Sequence, residues 1–315
     1  MARLPAPAGA LPADVVGLRA ALLAWFDGGG RALAFRVRRE PDPWAVLVSE
    51  VMAQQTQVTR VDAKWRVFMD RFPTPADLAA APLGDVIRAW SGLGYNRRAV
   101  DLQRAARAIV ESGGAVPSDV PSLQALPGVG PYTARAVAAI AFGRAVGAVD
   151  VNVRRVLGRL TTGESAPVPA RVVQTAADAL VDPSRPGDWT HALMDLGATV
   201  CRPGRPGRPA CGVCPIRAWC AFPGPARVVA QAPAPSPAGR PGPRRAVPFA
   251  ATSRWLRGRI VERLCSEPPG TGVAFHGPLG LHPPEAVSAA LASLVADGLV
   301  ELDGLGAARL AGERA

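Results

Sequence analysis

The sequence predicts an all-α fold as far as residue 250, with a module of about 65 residues beyond it. Three observations carry this. Apolar residues before residue 250 recur at spacings of three and four, the period of a helix face. No stretch there alternates apolar and polar residues as a half-buried strand would. Gly and Pro clusters fall between the periodic segments, where chain turns belong.

Leu11 to Phe26 reads as a first amphipathic helix, ended by Gly28-Gly29-Gly30. Asp42 is placed to cap the helix that Pro43 opens. Its apolar stripe is Trp44, Leu47, Val48, Val51 and Met52, and Glu50, Gln54 and Gln57 share a neighbouring face. A second apolar set, Val61, Trp65, Phe68 and Met69, runs to Arg71-Phe72-Pro73. Pro75 to Ala80 and Leu83 to Trp90 give two short helices, and Gly92-Leu93-Gly94-Tyr95 turns the chain. Arg98 to Glu111 is helical and stops at Gly113-Gly114. Further helices are expected over Ser122–Leu126, Pro131–Phe142, Asn152–Leu160, Ala170–Val181 and Trp189–Val200, the last running into Cys201. From Phe222 to Pro248 the composition turns to Pro, Ala, Gly and Arg, which cannot bury a core and reads as a semi-stiff linker. Beyond it, Trp255–Cys265 and Pro283–Val295 are helical, and Gly298 to Gly304 ends in a short hairpin-like strand pattern. Helices followed by a small β-wing give a winged-helix-like module.

Composition narrows the partners. The 315 residues hold 36 Lys plus Arg against 25 Asp plus Glu, a net charge of +11, and nearly all the positive charge is Arg. Arginine forks onto phosphate, so the field favours polyanions without saying which. Aromatics at 5% argue against a broad single-strand stacking platform. No apolar run reaches the ~18 residues of a membrane span, and Met1 to Pro12 lacks the form of a signal peptide. A cytoplasmic protein is expected, where clustered cysteines point to metal over disulfide.

Two places concentrate chemistry. In Gly128-Val129-Gly130-Pro131-Tyr132-Thr133 two glycines flank one apolar residue between helices, and Pro131 suits a first helical turn. The free amides of Gly128, Gly130 and the new helix then form a site for an anion such as a backbone phosphate. On the glycines alone, an ordinary corner between helices fits as well. Cys201, Cys211, Cys214 and Cys220 are separated by nine, two and five residues. Four close thiolates suit a [4Fe–4S] cluster or a zinc ion. Cys265 stands alone in an apolar helix and reads as core, and His191 beside Trp189 gives no metal signal.

The hairpin, with Asp150 following its second helix, resembles the helix-hairpin-helix base-excision DNA glycosylase superfamily. Lyase members related to endonuclease III carry a nucleophilic Lys after Gly-Val-Gly-x, where this chain has Tyr132, which cannot form a Schiff base. Ser49-Glu50-Val51-Met52-Ala53-Gln54-Gln55-Thr56-Gln57-Val58 matches the Ser-Glu-x-Met-x-Gln-Gln-Thr-x-Val of the adenine DNA glycosylase (MutY) family. Arg71-Phe72-Pro73-Thr74, Gly92 to Tyr95, the hairpin and Met194-Asp195-Leu196-Gly197-Ala198 follow that family in order, so the resemblance runs from about Leu22 to Cys220.

The resemblance implies a bilobal glycosylase core over residues 1–222. A six-helix barrel takes about 34–145, and an iron–sulfur lobe takes about 11–33 plus 146–222. A linker at 223–250 and the module at 251–315 follow. It implies that Glu50 is the general acid that protonates adenine and later activates water, a role that desolvation of its carboxyl would serve. Asp150 is implied to face the oxocarbenium-like sugar as a carboxylate, and it doubles as an N-cap in the bare sequence reading. Asn152 is implied to hydrogen-bond near the sugar or Asp150, and Tyr132 to position the acid or the anion. The pocket is expected between the lobes, with Glu50 and Asp150 on opposite walls. Gln54 or Gln55 is implied to wedge into the duplex when the base is flipped out. Thr56, Tyr95, Gly128, Val129, Gly130 and Arg154 join them on the DNA side, with a monovalent cation at the hairpin. The family's cysteine gaps are six, two and five, so this chain carries three extra residues after Cys201. A retained [4Fe–4S] cluster is implied, with Arg202, Arg205, Arg208 and Arg217 giving its loop a phosphate-binding face.

The implied substrate is double-stranded DNA with adenine opposite 8-oxoguanine or guanine, acted on by a monomer with no membrane association. The family's second aromatic after Tyr95 is Asn96 here, and about 65 residues cannot hold the Nudix-like domain of many members. Two rival readings stand: a thymine glycosylase for T:G pairs, and a non-catalytic DNA-binding protein.

Overall fold

The computed structural model describes residues 11–36, 40–163, 168–204, 209–224 and 247–313. Most of the expected linker, residues 225–246, and also Arg205 and Arg208 lie outside the described residues. Two compact units form, one from residues 1–46, 118–124 and 129–237, the other from 47–117, 125–128 and 238–315. No helix among the described residues is long and apolar enough to cross a membrane.

The first unit begins with α1, Val15–Gly29. It starts four residues later than expected because Asp14 caps it, its carboxylate accepting from Gly17 N at 2.8 Å. α8 (Pro131–Phe142), α9 (Val151–Thr162), α10 (Ala170–Leu180) and α11 (Pro186–Asp195) complete the unit's frame. Leu18, Leu22 and Phe26 of α1 share one core with Val153 and Leu157 of α9 and with Trp189 and Leu193 of α11. The helix expected through Val200 changes type on the way: α11 ends at Asp195 and a π-helical turn, Leu196–Val200, carries the chain to Cys201.

α2 (Pro43–Ala53) is opened as expected, Asp42 accepting from Trp44 N at 3.0 Å. In the second unit α3 (Val58–Arg71), α4 (Pro75–Ala80), α5 (Leu83–Trp90) and α6 (Arg97–Glu111) pack together. Phe68 meets Phe72 and Trp90 at ring separations of 4.9 and 5.8 Å. Buried Gln103 of α6 donates to Leu78 O and Ala81 O, tying α4 to α6.

The C-terminal module has the expected helices, α12 (Ser253–Ser266) and α13 (Pro284–Ala296), and a β-hairpin. The strand pattern after Gly298 becomes β1 (Val300–Leu302), paired antiparallel with β2 (Ala308–Leu310). Val273 bridges to Ala308 at the hairpin's edge. Leu256, Ile260, Leu291, Leu294 and Val300 form a core that also takes in Ile87 of α5 and Val100 of α6. Arg88 of α5 pairs with the buried carboxylate of Glu313 at 2.9 Å and donates to Cys265 O and Glu267 O. The module is therefore built onto the second unit, a docking that no sequence pattern announces. Cys265 is half-buried at this contact, and burial pushes its thiol up to about 11.

Candidate active site

α2 carries Glu50 among apolar residues, and the residue is buried at 6% exposure. The helix stops at Ala53, and Gln55 takes a left-handed backbone (φ 54°), so the chain breaks before α3. That break puts Gln54, Gln55 and Thr56 on a turn, with Gln55 exposed and Gln54 Nε2 donating to Gly128 O at 3.3 Å.

Arg98 organises this turn, and the sequence reading passed over it as a helix start. Its Nη1 donates to Val51 O and Met52 O at 2.8 and 2.9 Å, satisfying carbonyls left free by the end of α2. Its Nη2 donates to Thr56 Oγ1 and Gly94 O, both at 2.9 Å. The guanidinium also stacks on Trp90 and Tyr95. Burial pulls its pKa down to about 10, still far above neutrality, so its donors stay charged at physiological pH. Tyr95 closes the turn with φ 47° after two left-handed glycines, Gly92 and Gly94, and is 39% exposed.

The hairpin runs from α7 (Val120–Ala125) to α8. Gly128 has φ 75°, and a Cβ there would lie 2.9 Å from Asp101 Cβ, so both backbone and space demand glycine. Gly130 is different: its φ is −84° and nothing lies within 4 Å of where its Cβ would be. Val129 between the two glycines is buried, at 5% exposure. Tyr132, in the first turn of α8, donates its hydroxyl to Met194 Sδ at 3.7 Å.

Asp150 is the N-cap of α9, as the bare reading expected. Its Oδ1 accepts from Val153 N at 2.7 Å and its Oδ2 from Asn152 Nδ2 at 2.8 Å. Asn152 therefore meets Asp150 directly, one of its two expected positions. Its amide is oriented in turn by Arg155, which donates to Asn152 Oδ1 at 2.9 Å, Gly197 O at 2.7 Å and Cys201 O at 2.7 Å. Burial lowers the pKa of Arg155, against the opposing pull of the Cys201 thiol. Gly197 is needed for this approach, since a Cβ there would fall 2.7 Å from Asn152 Cβ. Arg154 is exposed.

The cysteines follow from the same network. Cys201 ends the π-helical turn, Cys211 starts one 3-10 turn, and Cys220 follows another. All four thiols are reduced and half-buried, and Cys201, Cys214 and Cys220 pack against the unit's core. Arg159, buried beneath them, donates to Cys201 Sγ at 3.2 Å and to Arg202 O at 3.1 Å. Burial pushes the Cys214 thiol up to about 11, and the other three thiols push it the same way. Cys211 and Cys220 are raised too, burial first. Among the described residues, no three His, Cys, Asp or Glu side chains are arranged to hold a single metal ion. Four cysteines close in sequence remain the donor set that a [4Fe–4S] cluster or a zinc ion would use. Arg217, expected to face phosphate, uses one nitrogen on Phe222 O at 2.6 Å. His191 is buried with its ring 6.4 Å from that of Phe26.

Residues 48–180 match the HhH-GPD superfamily of base excision DNA repair proteins, which fixes the class. An adenine DNA glycosylase of Mycolicibacterium smegmatis is 40% identical over 93% of this chain and 95% of its own length. The human adenine DNA glycosylase is 47% identical over 66% of this chain, which spans only 40% of that relative's length. A solved thermostable thymine-DNA glycosylase superposes with a TM-score of 0.60 at 27% identity, over 66% of this chain and 96% of its own. The chain belongs to the adenine DNA glycosylase family.

Proposed function

We propose that this protein is a monofunctional adenine DNA glycosylase acting on adenine paired with 8-oxoguanine or guanine. The observation that carries the reading is Asp150, whose two oxygens each accept one N–H hydrogen bond at a helix start. An acceptor-only carboxylate, pinned in place, is what a developing sugar cation requires. The burial of Glu50 supports the complementary role of an acid shielded from bulk water.

The Glu50 carboxyl gives its proton to N7 of the flipped adenine. The C1′–N9 bond breaks, and its electron pair leaves with the base. The sugar is left as an oxocarbenium ion stabilised by the Asp150 carboxylate. Water then adds to C1′, its proton passing to the Glu50 carboxylate, which restores the acid and leaves an abasic site. Asn152 and Arg155 hold Asp150 in one orientation throughout. A covalent sugar intermediate on an amine has no support: Tyr132 occupies the position after Gly-Val-Gly-Pro, and Lys64 of α3 is the chain's sole lysine.

The four cysteines would hold a [4Fe–4S] cluster, which would fix the loop after α11 beside Arg155. The backbone of Gly128, Val129 and Gly130 would receive a DNA phosphate, and the same loop is where a monovalent cation would bind.

Single-turnover base release from duplexes with A:8-oxoguanine, A:G or T:G pairs tests this reading. Adenine should be lost from the first two, with a rate at least ~100-fold lower in Glu50→Gln, the usual scale of general-acid loss. Borohydride in the same reaction should trap no protein–DNA adduct. Thymine release would favour the rival that the thymine-DNA glycosylase likeness keeps in view.

A further inference from the structure

The chain reaches Asp150 along a stretch that belongs to no helix or strand. α8 is closed by Gly143 in a left-handed conformation (φ 62°), and α9 begins after Asp150. Residues 144–149 between them have neither helix nor sheet ladder to fix their backbone. A buried amide in such a stretch needs a partner from elsewhere. Gly147 is buried, and its N–H donates to the Asp178 carboxylate of α10 at 2.9 Å. Its carbonyl accepts from Gln174 Nε2 of α10 at 2.9 Å and from Arg135 Nη1 of α8 at 3.4 Å. Gly147 lies so close to α10 that a Cβ there would fall 2.5 Å from Ala177 Cβ and 2.8 Å from Ala177 O. Both polar groups of this residue are thus anchored on α10 just before the chain arrives at Asp150.

Arg135 closes the arrangement. Its Nη1 donates to Asp178 Oδ1 at 2.6 Å, the same oxygen that accepts from Gly147 N. The two side chains are 25% and 40% exposed, and an ion pair that open to water contributes little to stability. Water could satisfy both charges, but water cannot fix a distance. Arg135 lies on the helix that Gly130 opens and that carries Tyr132, so one carboxylate joins that helix to the backbone leading into Asp150. The reaction needs such a fixed distance. A nucleotide's phosphate and its sugar carbon are covalently linked, so amides that grip the one and a carboxylate that faces the other must keep their separation. A displacement of about 1 Å can lower a rate ~100-fold.

We propose that Arg135 and Asp178 are positioning residues for base release. Acting through Gly147, they lock the start of α8 and the Asp150 carboxylate into one spacing. This rests on the adenine glycosylase reading for the role of Asp150, not for the anchoring of Gly147 itself.

The test uses the full chain and an A:G duplex. Single-turnover base release with protein in saturating excess is compared with duplex affinity and with amide hydrogen exchange over residues 143–153. Arg135→Met and Asp178→Asn keep side-chain size and remove the charge pair. Each should lower the release rate about tenfold while affinity stays within about twofold, the pattern of a misplaced reacting group. Exchange should quicken from Gly147 to Asp150 in both. The double variant should lose no more than the worse single one, because the two residues act as a unit. Arg135→Lys should recover most of the rate, since one nitrogen of Arg135 makes both of its contacts. Unchanged rates, or rate and affinity falling together, would overturn the proposal. A wild type that releases no base would sink the glycosylase reading instead, and exchange alone would then judge the anchor: quickening in the variants keeps it, and unaltered exchange removes it.

Discussion

Arg155 shows how far a single side chain reaches in this molecule. One guanidinium joins the Asn152 amide, the π-helical Gly197 carbonyl and the Cys201 carbonyl, so the orientation of Asp150 depends on the loop that bears the cysteines. Replacing it by Met removes three charge-assisted hydrogen bonds, each worth ~1.5–3 kcal/mol in favourable cases, and frees the Asn152 amide to turn. Arg155→Met should lower single-turnover base release more than tenfold at saturating DNA, while duplex affinity stays within about twofold. Equal losses in rate and affinity would show that Arg155 only supports the fold. Asp150 was legible in the sequence as an N-cap, and its contact with Asn152 was one of the two positions that the family resemblance implied. Arg155 and Arg98 were not, since the chain holds so many arginines that another one carries no signal. Their roles arise from carbonyls that only the folded backbone leaves unsatisfied.

At the scale of elements, the helix starts that Pro43 and Pro131 mark are those the structure forms, because proline and its capping neighbours act locally. The π-helical turn after α11 was not legible: it answers a tertiary demand, the approach of Gly197 to Asn152. β2 was missed as well, its three residues being too few to show an alternation. Asp195 anchors the joint between α11 and the π turn. Its carboxylate, 1% exposed, receives Arg36 at 2.8 Å and Arg31 at 2.6 Å. Burial alone would raise its pKa, but the hydrogen bonds and charge of Arg36, then those of Arg31, outweigh it and hold it below the ordinary carboxylate value. A folded-state pKa below the unfolded one means stability that is present above about pH 4 and lost as pH falls through the folded value. Asp195→Asn should therefore lose roughly 3–5 kcal/mol at pH 7, the cost of leaving buried guanidinium charge unpaired. Its urea midpoint should also fall less steeply than that of the wild type below pH 4. Parallel acid profiles for the two proteins would refute this account of Asp195.

For the molecule as a whole, the sequence shows where the chain changes character near residue 222 but not what the last segment does with its apolar face. Ile87 of α5 and Val100 of α6 are buried residues of their helices, and they share one core with Leu256, Ile260 and Leu291 of the module. A helix stripe states that it is buried, not what buries it. The pairing of Arg88 with Glu313 is equally silent, because the partners lie 225 residues apart. Glu313 fills the space at Gly84, where a Cβ would fall 2.4 Å from its carboxylate, and it accepts from Gly270 N at 3.0 Å. A module held by shared core and a buried ion pair does not depend on its covalent tether. Cutting the chain at a protease site placed within residues 225–246 should leave the two fragments co-eluting in size-exclusion chromatography at micromolar concentration. Glu313→Ala should release them, since truncating one partner of a buried pair leaves the Arg88 charge uncompensated at a cost of about 3–5 kcal/mol. Separation of the unmutated fragments after cleavage would mean that the interface is too weak to hold the module without its covalent tether.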